Sequence, residues 1–187
     1  MTALTIYNDD ASDKLEQLTD PAAIAARLAD IGVQFEQWQA NQPLADDADQ
    51  AAVLAAYRAE VDRLNDQYGF QSLDVVSLRP DNPKAPELRQ LFLAEHTHAD
   101  FEVRFFVDGD GLFYLHVDGK VYATLCEAGD LISVPANTTH WFDMGTKPSF
   151  KAIRFFTTPE GWKGDFTGSD IATKFPDYDS LTAELRG

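Results

Sequence analysis

Three of the four histidines in this chain fall, with one glutamate, in a pattern that constrains both its fold and its chemistry. His96, His98 and Glu102 share even parity, so on a β-strand their side chains would point to one face. His140 can complete the group from a partner strand. Imidazole nitrogens with a carboxylate oxygen suit a divalent metal such as iron, nickel, manganese or zinc. The pattern therefore predicts a β-rich fold with a metal site formed by these four side chains.

Two arginines are candidate site residues. Arg104 lies two positions beyond Glu102 on the same predicted face, where an always-charged guanidinium can stabilise an anionic substrate. Its alternative role is an ordinary ion pair within a barrel. Arg154 stands between apolar residues on a predicted inner strand, so it needs either a carboxylate or an anionic substrate as its partner. The fourth histidine, His116, lies in a predicted hairpin and is left out of the site.

Composition excludes several classes of protein. The 187 residues carry a formal net charge of −16 and are 44% hydrophobic, so we expect a globular chain that binds neither nucleic acid nor an anionic membrane surface. The start has no signal-peptide features, and no apolar run reaches the length of a membrane span. The single cysteine, Cys126, cannot form an internal disulfide, which fits a cytoplasmic location, and we expect it to be a small buried apolar residue.

Helical spacing and end signals predict two helices early in the chain. Asp20 and Pro21 precede an apolar stretch that Gly32 can close. A second helix is expected from an acidic cap at 46–49 to about Tyr68. From Ser72 the pattern changes to short strands with turns rich in glycine, aspartate and asparagine. Strands are expected at 33–38, 73–78, 131–134, 140–142 and 150–156, turns at 108–111 and 118–119, and a helical turn at 87–91.

Short strands at this spacing are typical of an antiparallel barrel or sandwich. We therefore expect a mainly β fold with helices, formed as one domain over residues 1–187. Within it, residues 1–70 are expected to be a helical N-terminal elaboration, about 72–166 the metal-binding β-barrel, and 167–187 a loosely attached C-terminal tail.

Two motifs resemble those of the cupin jelly-roll barrel: His96-x-His98-x3-Glu102-x6-Gly109 and Gly129-x5-Pro135-x-Asn137-x2-His140. Asn137 stands where cupins usually have glycine, and asparagine tolerates the left-handed backbone that such a turn often needs. Within the cupins, the chain is most similar to the bacterial acireductone dioxygenases. The resemblance covers most of the chain through EHTH at 95–98, EVRFF at 102–106, DLISVP at 130–135, HWFDMG at 140–145, AIR at 152–154, GW at 161–162 and FTGSDIA at 166–172.

The resemblance implies a monomeric enzyme that cleaves the acireductone 1,2-dihydroxy-3-keto-5-methylthiopentene with O2. In this family, Fe2+ yields 4-methylthio-2-oxobutanoate and formate, whereas Ni2+ yields 3-methylthiopropanoate, formate and carbon monoxide. One metal ion per monomer is expected at the four ligands, with two open positions for the enediolate, and Arg104 is expected to stabilise the dianion.

The resemblance also implies roles for residues around the metal. Phe92, Phe142 and Trp162 are expected to form an apolar pocket for the methylthio tail, although each suits a plain core role as well. Glu95 would assist metal incorporation, with a solvated charge as the alternative. Phe101 departs from the pattern, because the family commonly has an acidic residue there that relays conformational change.

Three other functions remain open at this point. A different metal cupin, such as an isomerase or another dioxygenase, would share the four ligands but not the other motifs. A non-catalytic cupin often loses ligands, and this chain keeps all four. Zinc hydrolysis is disfavoured because zinc enzymes typically use three protein ligands, and no separate general base is visible near the site.

Overall fold

The computed structural model describes residues 1–45, 47–159 and 163–187. Strands alternate with five α-helices and one 3-10 helix along these residues. The elements are β1 (Ala3–Asn8), β2 (Lys14–Leu18), α1 (Pro21–Ala29), β3 (Gln34–Gln37), α2 (Gln50–Ala56), α3 (Arg58–Tyr68), β4 (Ser72–Leu78), α4 (Ala85–Leu93), β5 (His96–Thr97), β6 (Glu102–Val117), β7 (Lys120–Glu127), β8 (Asp130–Val134), β9 (Thr139–Asp143), β10 (Phe150–Phe156), β11 (Asp165–Phe166), the 3-10 helix (Ile171–Lys174) and α5 (Tyr178–Arg186). The expected mainly β fold with helices is confirmed.

Two antiparallel sheets share the long strand β6. One sheet has the order β11-β5-β9-β6-β7-β1-β2, and the other runs β4-β10-β6-β8-β3. The first half of β6 pairs with β8 and β10, and its second half pairs with β7 and β9. Because both sheets diverge from one strand, their inner faces enclose a common apolar core.

Large apolar side chains from both sheets meet in that core. Phe106 and Phe113 on β6 pack with Phe142 on β9 and Phe150 on β10, and all four are nearly inaccessible to solvent. Helix α1 closes one end by burying Ile24 and Leu28. Burial of this kind contributes about 1.5–3 kcal/mol for each large apolar side chain, so the barrel is a rigid support for side chains at its rim.

Several local predictions are confirmed. Asp20 caps α1 by accepting a hydrogen bond from Ala23 N at 2.9 Å, and Gly32 closes the helix with φ of +76°. Residues 118 and 119 form the tight turn between β6 and β7, both with positive φ. Cys126 is buried in the common core, as expected of a small apolar residue.

The second predicted helix is divided at Tyr57. Helix α2 ends there with φ of −110° and ψ of 28°, and α3 begins at the next residue. Tyr57 packs its ring on Phe105 at 5.2 Å between centroids. The helical turn predicted at 87–91 is part of a longer helix, α4, which begins at Ala85. Pro86 lies in its first turn, where proline is well tolerated.

Three parts of the fold differ from the sequence-based expectation. The turn predicted at 108–111 is wrong: β6 continues through it, and a bulge opposite β10 absorbs the irregularity. The first 70 residues are not only helical: β3 confirms the strand predicted at 33–38, and β1 and β2 are additional strands, of which β1 pairs with β7. The C-terminal residues are firmly packed, since α5 buries Leu181 and Phe175 contacts Trp141 at 5.9 Å between rings.

Among the described residues, no helix combines the length and the apolar character needed to cross a membrane.

Candidate metal centre

The four predicted ligands come together at the rim of the barrel. His96 on β5 pairs directly with His140 on β9, and His140 in turn lies opposite Leu115 on β6. Glu102 is the first residue of β6. His98 belongs to no strand, because β5 ends at Thr97 and the chain bends before β6 begins. The four side chains therefore converge as predicted, but the simple alternation of one continuous strand is not the reason.

A left-handed turn delivers His140 to this rim. Asn137 has φ of +62°, as the second cupin motif predicted, and its N–H donates to the carbonyl of His98 at 2.7 Å. This hydrogen bond joins the turn before β9 to the bend after β5. The two segments that carry histidines are thereby held against each other.

The donor atoms form a compact buried group. One ligand atom from each of His96, His98, Glu102 and His140 lies within 4.8 Å of all the others, and every residue of the group is less than 10% exposed. Glu102 Oε2 is 2.9 Å from His140 Nε2 and 3.1 Å from His98 Nε2. These separations are short enough for a single ion to contact all four atoms.

Backbone carbonyls orient each imidazole. The Nδ1 atoms of His96, His98 and His140 lie 2.6, 3.0 and 2.8 Å from the carbonyl oxygens of Ala94, Lys163 and Thr138. A ring that donates from Nδ1 keeps the lone pair of Nε2 free, so each imidazole presents its ligating nitrogen to the centre of the group. Three oriented imidazoles and one carboxylate match the donor set of a divalent metal site. The group can hold a metal ion.

The charges within the group are strongly coupled. Burial lowers the pKa of His96, and nearby His140 acts in the same direction. Burial also opposes protonation of His98, but the hydrogen bond and charge of Glu102 outweigh it and raise the pKa of His98. Burial disfavours the Glu102 anion, yet the charge of Arg104 and the contact with His140 hold the pKa of Glu102 well below its usual range. The carboxylate is therefore ionised and ready to bind a cation.

Arg104 lies directly behind the carboxylate. Its Nη2 donates to Glu102 Oε1 at 2.8 Å, and its guanidinium stacks over Phe142 at 4.6 Å and Phe113 at 5.0 Å from the ring centroids. Burial lowers the pKa of Arg104, which the charge of Glu102 partly offsets. A cation held this rigidly beside the metal ligands can stabilise negative charge on a bound molecule.

An open cavity of about 420 Å³ leads to the four ligands. Four other predicted site residues share this cavity with the predicted metal ligands: Phe92, Arg104, Phe142 and Arg154. The predicted role of Trp162 lies outside the described residues. A cavity of this volume suits a small organic substrate.

Arg154 lies on the wall of this cavity and has a protein partner. Its Nε and Nη2 donate to the two carboxylate oxygens of Asp74 at 2.8 and 2.6 Å, across the β4–β10 ladder. The side chain is 27% exposed, so it is less buried than an inner-strand position predicts. The bidentate pair fixes the direction of the guanidinium.

Eight of the described lining residues are not among the site residues predicted from the sequence: Ser72, Leu73, Asp74, Leu91, Phe156, Pro159, Gly164 and Phe166. Asp74 has a usable signal, because it interrupts an apolar strand opposite Arg154. Leu91, Phe156 and Phe166 look like ordinary apolar residues, and only the tertiary structure shows that they face the cavity. Phe166 is 53% exposed and packs on His96 at 5.7 Å between rings.

Glu95 points away from the ligand atoms, as its parity predicted, but it is not a solvated charge. The residue is 5% exposed, and its carboxylate accepts from Thr167 Oγ1 at 2.8 Å and contacts His116 Nδ1 at 2.9 Å. His116, left out of the predicted site, is thus a partner of Glu95. Phe101 is 36% exposed and lies edge-on to Tyr68 at 5.7 Å, outside the cavity lining.

Comparisons with known proteins identify the family of this chain. The model of the ARD/ARD' family matches residues 3–164. The acireductone dioxygenase of Hydrogenobaculum sp. is 58% identical over 183 residues, which cover 98% of this chain and 100% of that protein. The acireductone dioxygenase of Parvibaculum lavamentivorans is 61% identical over 181 residues, which cover 96% of this chain and 98% of that protein.

A solved structure supports the same assignment. It is an acireductone dioxygenase from Bacillus anthracis with a cadmium ion in its active centre, and it superimposes with a TM-score of 0.77 at 32% identity. The match covers 89% of this chain and 98% of that one. Family match, near-complete coverage and shared fold together show that the chain belongs to the acireductone dioxygenase family.

Proposed function

We propose that this chain cleaves 1,2-dihydroxy-3-keto-5-methylthiopentene with O2, in methionine salvage, using one divalent metal ion held by His96, His98, Glu102 and His140. The proposed products are 4-methylthio-2-oxobutanoate and formate for the iron(II) form. For the nickel(II) form they are 3-methylthiopropanoate, formate and carbon monoxide. In both reactions, the atoms of one acireductone and one O2 equal the atoms of the products.

The observation that carries the proposal is the cavity that joins four metal-ligating atoms to two arginines and an apolar wall. Three imidazole nitrogens and a carboxylate oxygen lie within 4.8 Å of one another, and the cavity of about 420 Å³ opens onto them. A bound metal would supply a Lewis acid that polarises the enediol oxygens and lowers the pKa of its hydroxyl groups. Membership of the acireductone dioxygenase family supports this substrate class.

Arg104 is proposed to stabilise the anionic form of the substrate. Its guanidinium is buried, held by Glu102 at 2.8 Å and packed between the rings of Phe113 and Phe142. A fixed cation in a site of low solvent access interacts strongly with negative charge and needs no reorganisation when that charge develops. Arg104 is therefore suited to hold the enediolate beside the metal ligands.

Arg154 and the apolar wall are proposed to orient the substrate. Asp74 fixes the direction of the Arg154 guanidinium through two hydrogen bonds, and Arg154 lines the cavity beside the proposed ligands, where its positive charge suits an anionic substrate. Phe92, Phe142 and Phe166 line the same cavity and suit the methylthio tail. Apolar contacts here also exclude water from the reacting end of the substrate.

The test is reconstitution of the metal-free protein under anaerobic conditions, with Fe2+ and Ni2+ in separate samples, followed by product analysis after addition of acireductone and O2. We expect formate and the keto acid from the iron form, and carbon monoxide from the nickel form alone. Substrate loss at the uncatalysed rate with both metals, at full metal occupancy, would overturn the proposal.

A pair of histidine variants makes the test specific. His140→Ala removes a proposed ligand, whereas His116→Gln removes the one histidine outside the ligand group. We expect metal content and turnover to fall together in the first variant and metal content to stay near one ion per chain in the second. Equal metal content in both variants would contradict the assignment of His140.

We also propose that the active form is a monomer. All four ligand residues and the described cavity lining come from one chain, so a second copy is not needed to complete the site. Light scattering of the metal-loaded protein would test this, and a stable dimer of full activity would contradict it.

A further inference from the structure

The segment that links two proposed metal ligands is short and belongs to no strand. Residues 99–101 join His98 to Glu102. Ala99 and Phe101 are exposed, whereas Asp100 between them is buried with 9% of its surface exposed. Apolar burial therefore does not fix the path of this link. Its one inward-pointing side chain is a carboxylate, which must have hydrogen-bonding partners to be stable there.

Those partners belong to the end of a different strand. Asp100 Oδ2 accepts from Thr157 N at 2.8 Å, and Asp100 Oδ1 accepts from the hydroxyl of Thr157. Oδ1 also accepts a hydrogen bond from Phe101 N at 2.7 Å, so the Asp100 side chain bonds to the backbone of the link itself. Thr157 is the first residue after β10, the strand that carries Arg154 and Phe156 into the cavity. One carboxylate thus joins the link between two ligands to the strand that forms the opposite wall.

Backbone hydrogen bonds hold the two ligands on either side of this link. The carbonyl of His98 accepts from Asn137 N, and Glu102 enters the β6–β8 ladder opposite Val134. Between these two points the path of residues 99–101 determines how far His98 Nε2 lies from Glu102 Oε2, now 3.1 Å. A small change in the path would move one donor relative to the other.

We propose that Asp100 and Thr157 form a positioning pair that sets the spacing of His98 and Glu102 and so raises the affinity of the metal site. The inference rests on the proposed function, because it takes these two residues as metal ligands. Asp100 and Thr157 belong neither to the donor group nor to the residues that line the cavity, so the pair acts through the backbone of residues 98–102. Loss of partners that orient ligands typically lowers metal affinity by about 10–100-fold.

Two substitutions each disrupt hydrogen bonds of the pair with little change in shape. Asp100→Asn replaces one acceptor oxygen by an NH2 group, so it faces a donor where it previously accepted a hydrogen bond. Thr157→Val removes the hydroxyl and keeps the backbone N–H, while Thr157→Ser retains the hydroxyl and serves as the conservative rescue. Asp130→Asn is the matched control, because Asp130 is also buried and accepts from three donors, Thr2, Gln37 and Glu127 N.

Three measurements separate positioning from general stability. Calorimetric titration of the metal-free proteins with Ni2+ gives the affinity, urea unfolding gives the stability, and hydrogen exchange of the Phe101 and Thr157 amides reports the two hydrogen bonds without any metal. We expect Asp100→Asn and Thr157→Val to weaken Ni2+ binding by about tenfold or more. Asp100→Asn, which alters the acceptor of both amides, should also speed their exchange. Thr157→Ser and Asp130→Asn should bind Ni2+ within about threefold of the unmodified protein.

Two results would overturn the inference. The first is that Asp100→Asn binds Ni2+ with an affinity within about threefold of that of the unmodified protein. If Asp100→Asn does not fold, the same result for Thr157→Val would overturn the inference. The other is an equal loss of affinity in Asp130→Asn, which would assign the effect to stability alone. Failure of the proposed function looks different: the unmodified protein and His140→Ala would then bind Ni2+ equally weakly.

Discussion

Replacing Arg104 by glutamine separates its proposed role in catalysis from any role in holding the metal. The guanidinium is 6% exposed and its Nη2 lies 2.8 Å from Glu102 Oε1, so solvent screens its charge only weakly. Glutamine keeps a hydrogen-bond donor of similar reach but carries no charge. The substitution therefore removes the cation from the site while changing its shape little.

The expected loss follows from how rigidly this charge is held. Removal of one preorganised charge-stabilising donor from an active site costs about 2.7–4 kcal/mol of transition-state stabilisation, or roughly 10²–10³ in kcat. The affinity for the metal ion should increase or stay unchanged in Arg104→Gln. The reason is that the guanidinium of Arg104 competes with a cation for Glu102 and repels it.

Steady-state kinetics on protein of measured metal content, together with Ni2+ titration, will check both effects. Arg104→Lys is the companion variant, because it keeps the charge without the fork of donors, and we expect its kcat to lie between the other two. A kcat for Arg104→Gln within about threefold of the unmodified enzyme at full metal content would refute the reasoning. A parallel loss of Ni2+ affinity and kcat would instead make Arg104 a support of the metal ligands.

Three further predictions concern the scaffold around the site. Arg89→Met leaves the buried Asp143 carboxylate without its bidentate cation, and urea unfolding of the metal-free protein should show a loss of about 3 kcal/mol; a loss below about 1 kcal/mol would contradict this. Asp177→Ala removes the cap of α5 and should cost about 1 kcal/mol near pH 7. Hydrogen bonds from Ser180, in the first turn of α5, lower the pKa of Asp177 in the folded protein. The stabilisation by this cap is therefore fully present above the unfolded pKa, near pH 4, and is lost as the pH falls through the lower pKa of the folded protein. A stability difference between the variant and the unmodified protein that persists in stronger acid would be inconsistent with this. Gly109→Ala places a Cβ 1.8 Å from a backbone oxygen at φ of +70°, whereas Gly69→Ala, at φ of +67°, meets no atom within 4 Å. The loss of folding stability should be roughly 1–2 kcal/mol for Gly69→Ala and well above that for Gly109→Ala. Equal losses in urea unfolding would count against a steric origin.

Much of the local structure could be predicted because its causes are local. Asp20 and Gly32 mark the ends of α1 through short-range hydrogen bonding and backbone conformation, and the turn at 118–119 follows from the positive φ that Asp-Gly accepts. The spacing of His96, His98 and Glu102 was informative for a related reason. Because the three residues lie within a segment of seven residues, most backbone conformations keep their side chains close together.

The predictions that failed concern residues whose conformation depends on distant partners. Residues 108–111 have the composition of a turn, yet pairing with β10 and β7 on either side keeps them extended. The sequence predicts a loosely attached C-terminal segment because the anchor of that segment, Asp143, is far away in the chain. The Asp143 carboxylate accepts a hydrogen bond from the backbone N–H of Tyr178 at 2.8 Å. Ladder hydrogen bonds and buried charge outweigh weak local preferences.

By itself, the sequence determined the kind of chemistry available: three imidazoles and a carboxylate at a spacing that suits a divalent metal, with an arginine two residues beyond. Tertiary structure alone decided what surrounds them. The carbonyl of Lys163 orients His98, Asp74 fixes Arg154, and Asp100 reaches Thr157, all across separations of more than 50 residues. Such contacts leave no local signature, because only closure of the barrel brings their partners within hydrogen-bonding distance.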